Sequence, residues 1–153
     1  MLHCTSNQSC FLTNKDIHIH VPAGAVPKDG PSAGVTISTA LLSALTGNKV
    51  RRNVAMTGEI SLTGRVMAIG GLKEKSMAAY KNGINTVIIP LENAADIEEV
   101  DEIVKANVEF VTVSTLDEVF ESAVIFEKKK INTKLTHTDV KINNKQKSNT
   151  VAQ

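Results

Sequence analysis

Alternating and periodic apolar positions predict a series of short strands and helices. Residues 16–21 alternate between apolar and polar side chains, which predicts a half-buried strand. A helix is expected over about 31–45, and because apolar positions run nearly all round it, we expect it to be buried. The Gly47-Asn48 pair ends this helix.

The second half of the chain shows the same alternation of element types. Residues 53–68 predict two strands with a turn at 62–64, and residues 72–81 predict a helix that places Leu72, Ser76 and Ala79 inward. The wholly apolar run 85–90 is typical of a strand in a sheet covered on both faces. The remaining expected elements are a helix at 92–105, a strand at 108–113 and a helix at 115–123 capped by Ser114.

Composition divides the chain into three parts. Residues 1–15 are polar and patternless and are expected to form a disordered lead-in, whereas 16–126 form the globular body. Residues 127–153 hold seven lysines against two acidic residues and few apolar side chains, so we expect a basic disordered tail. The whole chain has a formal net charge of +1, which gives no strong case for nucleic acid as a partner.

Cysteine usage and hydropathy point to a reducing compartment. The only cysteines, Cys4 and Cys10, match no common zinc pattern, so no metal site is expected. No apolar run approaches the roughly 20 residues that span a bilayer, and the start lacks a secretory signal. We therefore expect no membrane contact and a cytoplasmic location, with the mitochondrial matrix or another organelle as the alternative.

The most distinctive stretch is a Gly/Pro-rich loop over 24–34 that runs straight into the first helix. Asp29 can cap that helix, Pro31 suits its first position, and Ser32 falls in its first turn. Backbone N–H groups there have no intrahelical partner and lie at the positive end of the helix dipole. Three interpretations follow for Ser32: a packed helix start, a phosphate cradle, or a nucleophile beside an oxyanion hole.

Phosphate binding is the weaker of the two functional interpretations. A Walker loop needs Gly directly before Lys-Ser, but Lys75-Ser76 follows Glu74. The phosphate loop of the small-metabolite kinases looks similar, yet its Gly-Leu-Gly-Ser-Ser run is missing here, and Asp29 would repel phosphate. A nucleotide- or phosphate-binding module of this kind remains the alternative.

A serine nucleophile needs a base, and the chain offers two kinds. His18 and His20 share one strand face, but no acid is placed to orient them and no third ligand would complete a metal site, so a structural role is favoured. Lys75 lies at the edge of an apolar helix face, where partial desolvation favours the neutral amine. A neutral lysine can take the serine proton, as in Ser–Lys enzymes.

Three segments carry a family resemblance in the correct order. Residues 27–34 (PKDGPSAG), 55–60 (AMTGEI) and 69–75 (IGGLKEK) resemble successive signatures of the Lon proteases (endopeptidase La), in their ATP-dependent bacterial and organellar branch. The resemblance implies that Ser32 is the nucleophile and that Lys75 is the general base and later the general acid. It also implies that Thr57 hydrogen-bonds near Lys75 and orients it.

The same resemblance implies supporting residues, a fold and partners. Asp29 and Gly30 would shape the loop, while His18 and His20 would support the site from the preceding strand. The implied fold is α+β, with a mixed, partly parallel sheet and flanking helices, related to a ribosomal-protein S5 domain. The implied substrates are unfolded polypeptides, met in a hexameric ring fed by an AAA+ ATPase module, with ATP and Mg²⁺ bound by that module and no cofactor in this chain.

One departure from the family pattern concerns the N-terminal half of the proteolytic domain, which would precede residue 16 and which we expect to be missing. We therefore expect the sheet to lack part of its cover, leaving an apolar patch. We also expect the chain alone to be a poor protease, as a truncated or inactive form would be.

Overall fold

A computed structural model describes residues 16–20 and 30–126, and it confirms the mixed α+β class. A 3₁₀ turn (Pro31–Ala33) leads into helix α1 (Gly34–Thr46). The other helices are α2 (Leu72–Lys81), α3 (Glu102–Lys105) and α4 (Leu116–Ala123). The strands are β1 (Lys49–Val50), β2 (Val54–Met56), β3 (Glu59–Ile60), β4 (Val66–Met67), β5 (Thr86–Pro90), β6 (Glu109–Val113) and β7 (Val124–Ile125).

The main sheet is parallel and has the strand order β2–β5–β6. Two antiparallel pairs, β3–β4 and β1–β7, make the fold mixed. Residues 53–68 thus contain three short strands rather than the two expected, because the chain bends between Met56 and Glu59. The expected turn is confirmed: Gly64 has φ 81° and its N–H donates to Ser61 O at 3.0 Å.

The central strand β5 is covered on both faces. Ile88 packs in one apolar cluster with α1 and α4, while Val87 and Ile89 pack in a second cluster with α2 and α3. None of these three side chains is more than 2% exposed. The expectation that the sheet lacks part of its cover is therefore wrong for β5, because α2 and the segment up to α3 supply the second layer.

Helix α1 is less buried than its apolar composition predicts. Only Val35 and Thr39 are fully buried, whereas Thr36, Ala40 and Ala44 are exposed. A helix that is apolar all round is buried only where elements pack on every side. Among the described residues, the other helices and strands pack on one side of α1. The opposite side is left exposed, so the prediction of a fully buried helix is wrong.

The predicted strand over 16–21 is not formed by its described residues. Residues 16–20 are exposed and have no strand pairing, and Ile17 and Ile19 are 52% and 53% exposed. Alternation gives a strand only where a neighbour supplies hydrogen-bond partners, and within 16–20 and 30–126 none does so. Val21, the lead-in 1–15 and the tail 127–153 lie outside the described residues.

Helix boundaries follow local capping chemistry. Helix α2 spans the predicted residues, begins after Gly71 (φ 71°) and buries Leu72, Ser76 and Ala79 as expected. Helix α4 is capped by Thr115 rather than Ser114, because the Thr115 hydroxyl accepts from the Glu118 N–H at 3.4 Å. Gly47 ends α1 in the left-handed region (φ 76°), as predicted.

The acidic segment 92–105 is not one helix. It consists of two 3₁₀ turns, Leu91–Asn93 and Ala95–Glu99, followed by the single turn of α3. Val100 has extended backbone angles (φ −73°, ψ 141°) and is buried, so the chain leaves the helical path to bury this side chain. Of the helices in the described part of the chain, none is long and apolar enough to cross a membrane.

We predict that Gly58→Ala destabilises the fold. An added Cβ would lie 2.8 Å from Val66 Cγ1 and 2.9 Å from Val35 Cγ1, and both valines are buried. Overpacking of this kind costs about 1–3 kcal/mol of unfolding free energy, measured by urea denaturation. Gly70→Ala is the matched control, because nothing lies within 4 Å of its added Cβ. Equal denaturation midpoints for the two variants would contradict this prediction.

Candidate active site

The turn that carries Ser32 begins at an unusual backbone position. Gly30 has φ 144° and ψ 150°, a conformation that L side chains rarely adopt, although an added Cβ would meet no atom of the described residues within 4 Å. The backbone conformation by itself therefore favours glycine here. Asp29, the expected cap, lies outside the described residues.

Ser32 is half-buried in the 3₁₀ turn, and its backbone is tied to the segment after β2. Ser32 O accepts from the Gly58 N–H at 3.0 Å and from Thr57 Oγ1 at 3.4 Å, while the Val35 N–H donates to Gly58 O at 3.2 Å. The Ser32 hydroxyl makes no hydrogen bond with any described residue. The side chain is thus held in place through its own main chain and is left open for chemistry.

Thr57 links this turn to the centre of the sheet. It is only 6% exposed, and its N–H donates to Ile88 O at 3.0 Å. The Thr57 hydroxyl donates to the carbonyl of Ser32, so in this structure it helps to hold the turn that carries Ser32. The expected hydrogen bond of Thr57 beside Lys75 stays a prediction.

Lys75 lies in the first turn of α2 and is half-buried. Its ammonium Nζ donates to the carbonyl of Gly70 at 2.5 Å. That carbonyl belongs to the segment 68–70, which follows β4 and leads into the helix. The lysine therefore folds back over the start of its own helix instead of extending into solvent.

Ser32 and Lys75 are brought together in one surface pocket of about 390 Å³. The other lining residues are Gly30, Pro31, Glu59, Ala68, Ile69 and Gly70. The lining thus combines the first turn before α1, the start of β3 and the segment that enters α2, which are far apart in sequence.

Glu59 is a charged residue of this pocket that the sequence patterns did not single out. It is half-buried, and its carboxylate makes no hydrogen bond or ion pair with any described residue. The available signal was its place inside the signature over 55–60 (AMTGEI). A free carboxylate here makes the pocket unfavourable for anions.

His18 and His20 lie at a different place. They line a second cavity of about 330 Å³ against the outer flank of α1, together with Thr36, Ile37 and Ala40. The structure does not bring them together with Ser32 and Lys75. Within 16–20 and 30–126, no group of three or more His, Cys, Asp or Glu side chains could hold a metal ion.

The arrangement combines the parts that acyl transfer requires. A free hydroxyl stands beside the first N–H groups of a helical turn, and an amine lines the same pocket. N–H groups at such a position can stabilise a developing oxyanion, and an amine can accept a proton when it is neutral.

Comparison with known proteins agrees with this chemistry. Residues 2–126 match the model of the Lon protease (S16) C-terminal proteolytic domain. The Lon protease of Clostridium acetobutylicum is 59% identical over 115 residues, which is 75% of this chain and 15% of that protein. Lon protease 1 of Bacillus subtilis is 60% identical over 119 residues (78% of this chain, 15% of that protein), and the Lon protease of Haemophilus influenzae is 62% identical over 109 residues (71% and 14%).

The chain spans about 15% of the length of these relatives. The match nevertheless covers all of the described core and both pocket residues, Ser32 and Lys75. On this evidence the chain belongs to the Lon protease family and represents its C-terminal proteolytic domain.

Proposed function

We propose that this chain is the catalytic part of a serine endopeptidase that uses a Ser32–Lys75 dyad to hydrolyse peptide bonds. The observation that carries the proposal is the shared pocket of about 390 Å³, which both residues line although they lie in separate elements. The family membership supports the same reaction class.

In the acylation step, neutral Lys75 accepts the proton of the Ser32 hydroxyl while Oγ attacks the carbonyl carbon of the scissile peptide. The carbonyl oxygen becomes an oxyanion, which the N–H groups of Ser32 and Ala33 at the helical turn would stabilise. The protonated Lys75 then gives its proton to the leaving amine. The C–N bond breaks, and an ester to Ser32 remains.

In the deacylation step, a water molecule replaces the departed amine. Neutral Lys75 takes one proton from this water, the resulting hydroxide attacks the ester carbonyl, and the proton returns to Ser32 Oγ as the ester breaks. In the resting structure Lys75 Nζ donates to Gly70 O. When Lys75 is neutral, one N–H can keep this contact while the nitrogen lone pair accepts the serine proton.

We propose extended, unfolded polypeptides as substrates. The pocket is a depression on the surface, lined by the Ser32 turn, the start of β3 and the backbone segment 68–70. An extended peptide could enter this depression and reach Ser32, whereas a folded domain could not bring its backbone there.

Coupling to ATP would lie outside this segment. The sequence has no Walker loop, so an AAA+ ATPase module, in the same chain or in a partner, would bind ATP and Mg²⁺ and feed a hexameric ring. No step of peptide hydrolysis proposed for Ser32 and Lys75 needs the nucleotide. The 153-residue chain alone is expected to cleave slowly and only short or unfolded peptides.

The alternative of a phosphate-binding module is less well supported. Lys75 would suit a phosphate, but Glu59 lines the same pocket with a carboxylate that has no cationic partner among the described residues. A carboxylate in that place opposes a dianion and is compatible with a neutral peptide bond.

We predict that Ser32→Ala and Lys75→Ala each lower cleavage of an unstructured fluorogenic peptide by about a thousandfold or more, because each removes one member of a nucleophile–base pair. Ser38→Ala and Lys81→Ala are the matched controls: they lie on α1 and α2 and do not line the pocket. A fluorophosphonate probe should label Ser32 in the unmodified chain. Near-normal cleavage by Lys75→Ala, or no labelling and no cleavage at all, would contradict the proposal.

We predict that His18→Ala and His20→Ala change the same cleavage rate by less than about threefold, since loss of a general base costs about a hundredfold or more. Both histidines line the separate cavity against α1. A loss of activity in either variant comparable with that of Lys75→Ala would identify a histidine base and overturn the dyad.

A further inference from the structure

The segment that holds Lys75 is itself held by one buried side chain. Strand β4 ends at Met67, and the chain then runs through 68–70 before α2 begins. Backbone N–H and C=O groups that leave a sheet need other partners. For Ile69 both partners come from a single side chain, that of Asn93.

Asn93 pairs with Ile69 as a peptide group of a neighbouring strand would. The Ile69 N–H donates to Asn93 Oδ1 at 2.9 Å, and Asn93 Nδ2 donates to Ile69 O at 2.9 Å. Asn93 is 3% exposed, so water does not compete for these bonds. Its side-chain amide thus replaces the missing strand at this point.

Asp96 fixes the direction of the amide. Asn93 Nδ2 donates to Asp96 Oδ2 at 2.6 Å as well as to Ile69 O. If the Asn93 amide were flipped, its Oδ1 would face the Asp96 carboxylate and its Nδ2 would face the Ile69 N–H. Every polar atom of the Asn93 side chain is therefore committed to one arrangement.

Glu92, the residue before Asn93 in the same turn, also accepts a hydrogen bond from the backbone of segment 68–70. Glu92 Oε2 accepts from the Ala68 N–H at 3.2 Å. Glu92 is exposed, however, and its ion pair with Arg65 spans 4.0 Å, so Asn93 is the buried and two-sided anchor. Exposed charged contacts of this length contribute little.

From Asn93 the connection to the amine is short. Ile69 precedes Gly70, and Gly70 O accepts the hydrogen bond from Lys75 Nζ. Within the described residues, Gly70 pairs with no strand, and no atom lies within 4 Å of the position its Cβ would take. The Asn93–Ile69 pair, one residue earlier, restrains the main chain that carries the Gly70 carbonyl.

We propose that Asn93 is a positioning residue for the general base: it sets the Gly70 carbonyl that determines where Lys75 Nζ lies relative to Ser32. The proposal rests on the Ser32–Lys75 dyad proposed above. Asn93 does not line the pocket that Ser32 and Lys75 share. Its effect passes through Ile69 and Gly70.

The first test compares Asn93→Ala with Asn82→Ala in the 153-residue chain. Asn82 lies at the other end of α2, where its Nδ2 donates to Ala78 O at 2.8 Å, so the control also loses one side-chain bond to backbone. Lysine carrying an isotope label at Cε reports the surroundings of Nζ by NMR, with Lys75→Ala identifying the Lys75 signal. We expect Asn93→Ala to move that signal and Asn82→Ala to leave it in place.

The second test measures cleavage of the unstructured fluorogenic peptide. We expect Asn93→Ala to lower kcat by about tenfold to a hundredfold with KM changed less than about twofold, because a displaced catalytic group slows chemistry more than binding. Thermal denaturation of each variant identifies any that fail to fold. The NMR measurement does not require an active chain. An inactive chain would therefore contradict the Ser32–Lys75 dyad, while the NMR result would still decide whether Asn93 positions Lys75.

A swapped pair separates positioning from simple stability. Asn93→Asp with Asp96→Asn keeps an acceptor for the Ile69 N–H and a hydrogen bond between positions 93 and 96. It removes the donor to Ile69 O. We expect this variant to regain thermal stability relative to Asn93→Asp alone while the Lys75 signal stays displaced. An unmoved Lys75 signal in both Asn93→Ala and the swapped pair would overturn the proposal, whatever the peptide assay shows.

Discussion

The site depends on a reciprocal pair of main-chain hydrogen bonds between the Ser32 turn and Gly58. Gly58 donates to the Ser32 carbonyl and accepts from the Val35 N–H, with distances of 3.0 and 3.2 Å. The two backbones can approach this closely only because Gly58 has no Cβ, since Val35 and Val66 fill that space. The neighbouring N–H of Thr57 donates to Ile88 O, so the turn that carries Ser32 is connected to the most buried strand of the main sheet.

The lysine side of the pocket is fastened by a different means. Parallel strand β5 ends at Pro90, and the turn that follows presents Glu92 and Asn93 to the backbone at 68–69. Strand β2 ends just before Thr57. Both anchors therefore extend from the carboxyl ends of adjacent parallel strands, where α/β sheets commonly place their sites.

Much of the element order could be predicted from the sequence because its signals are local. The apolar run of β5 and the inward stripe of α2 (Leu72, Ser76 and Ala79) depend only on periodicity and are confirmed. The predicted burial of α1 and the predicted strand over 16–21 are wrong for the described residues, since both depend on whether another element covers or pairs with them. Periodicity shows which face of a helix or strand is apolar, but it does not show which other element packs against that face.

Some residues of the candidate site could likewise be predicted from local sequence signals, and others could not. Ser32 and Lys75 could be singled out from helix-start chemistry, from the edge position on a helix and from the three family signatures. Asn93 could not, because its partner Ile69 stands 24 positions earlier and no local pattern couples an asparagine after one strand to the backbone after another. Glu59 was visible within a signature, but only the folded structure shows that it lines the pocket with no partner among the described residues.

The two kinds of anchor give the two halves of the pocket different mutational robustness. Main-chain bonds at Ser32 and Gly58 persist through any replacement of neighbouring side chains that still fits the space. The bonds at Ile69 depend on one amide, and no other side chain of similar size offers a donor and an acceptor in that geometry. The half of the pocket that carries Lys75 should therefore tolerate fewer substitutions than the half that carries Ser32. The sensitive position, Asn93, lies outside all three signatures.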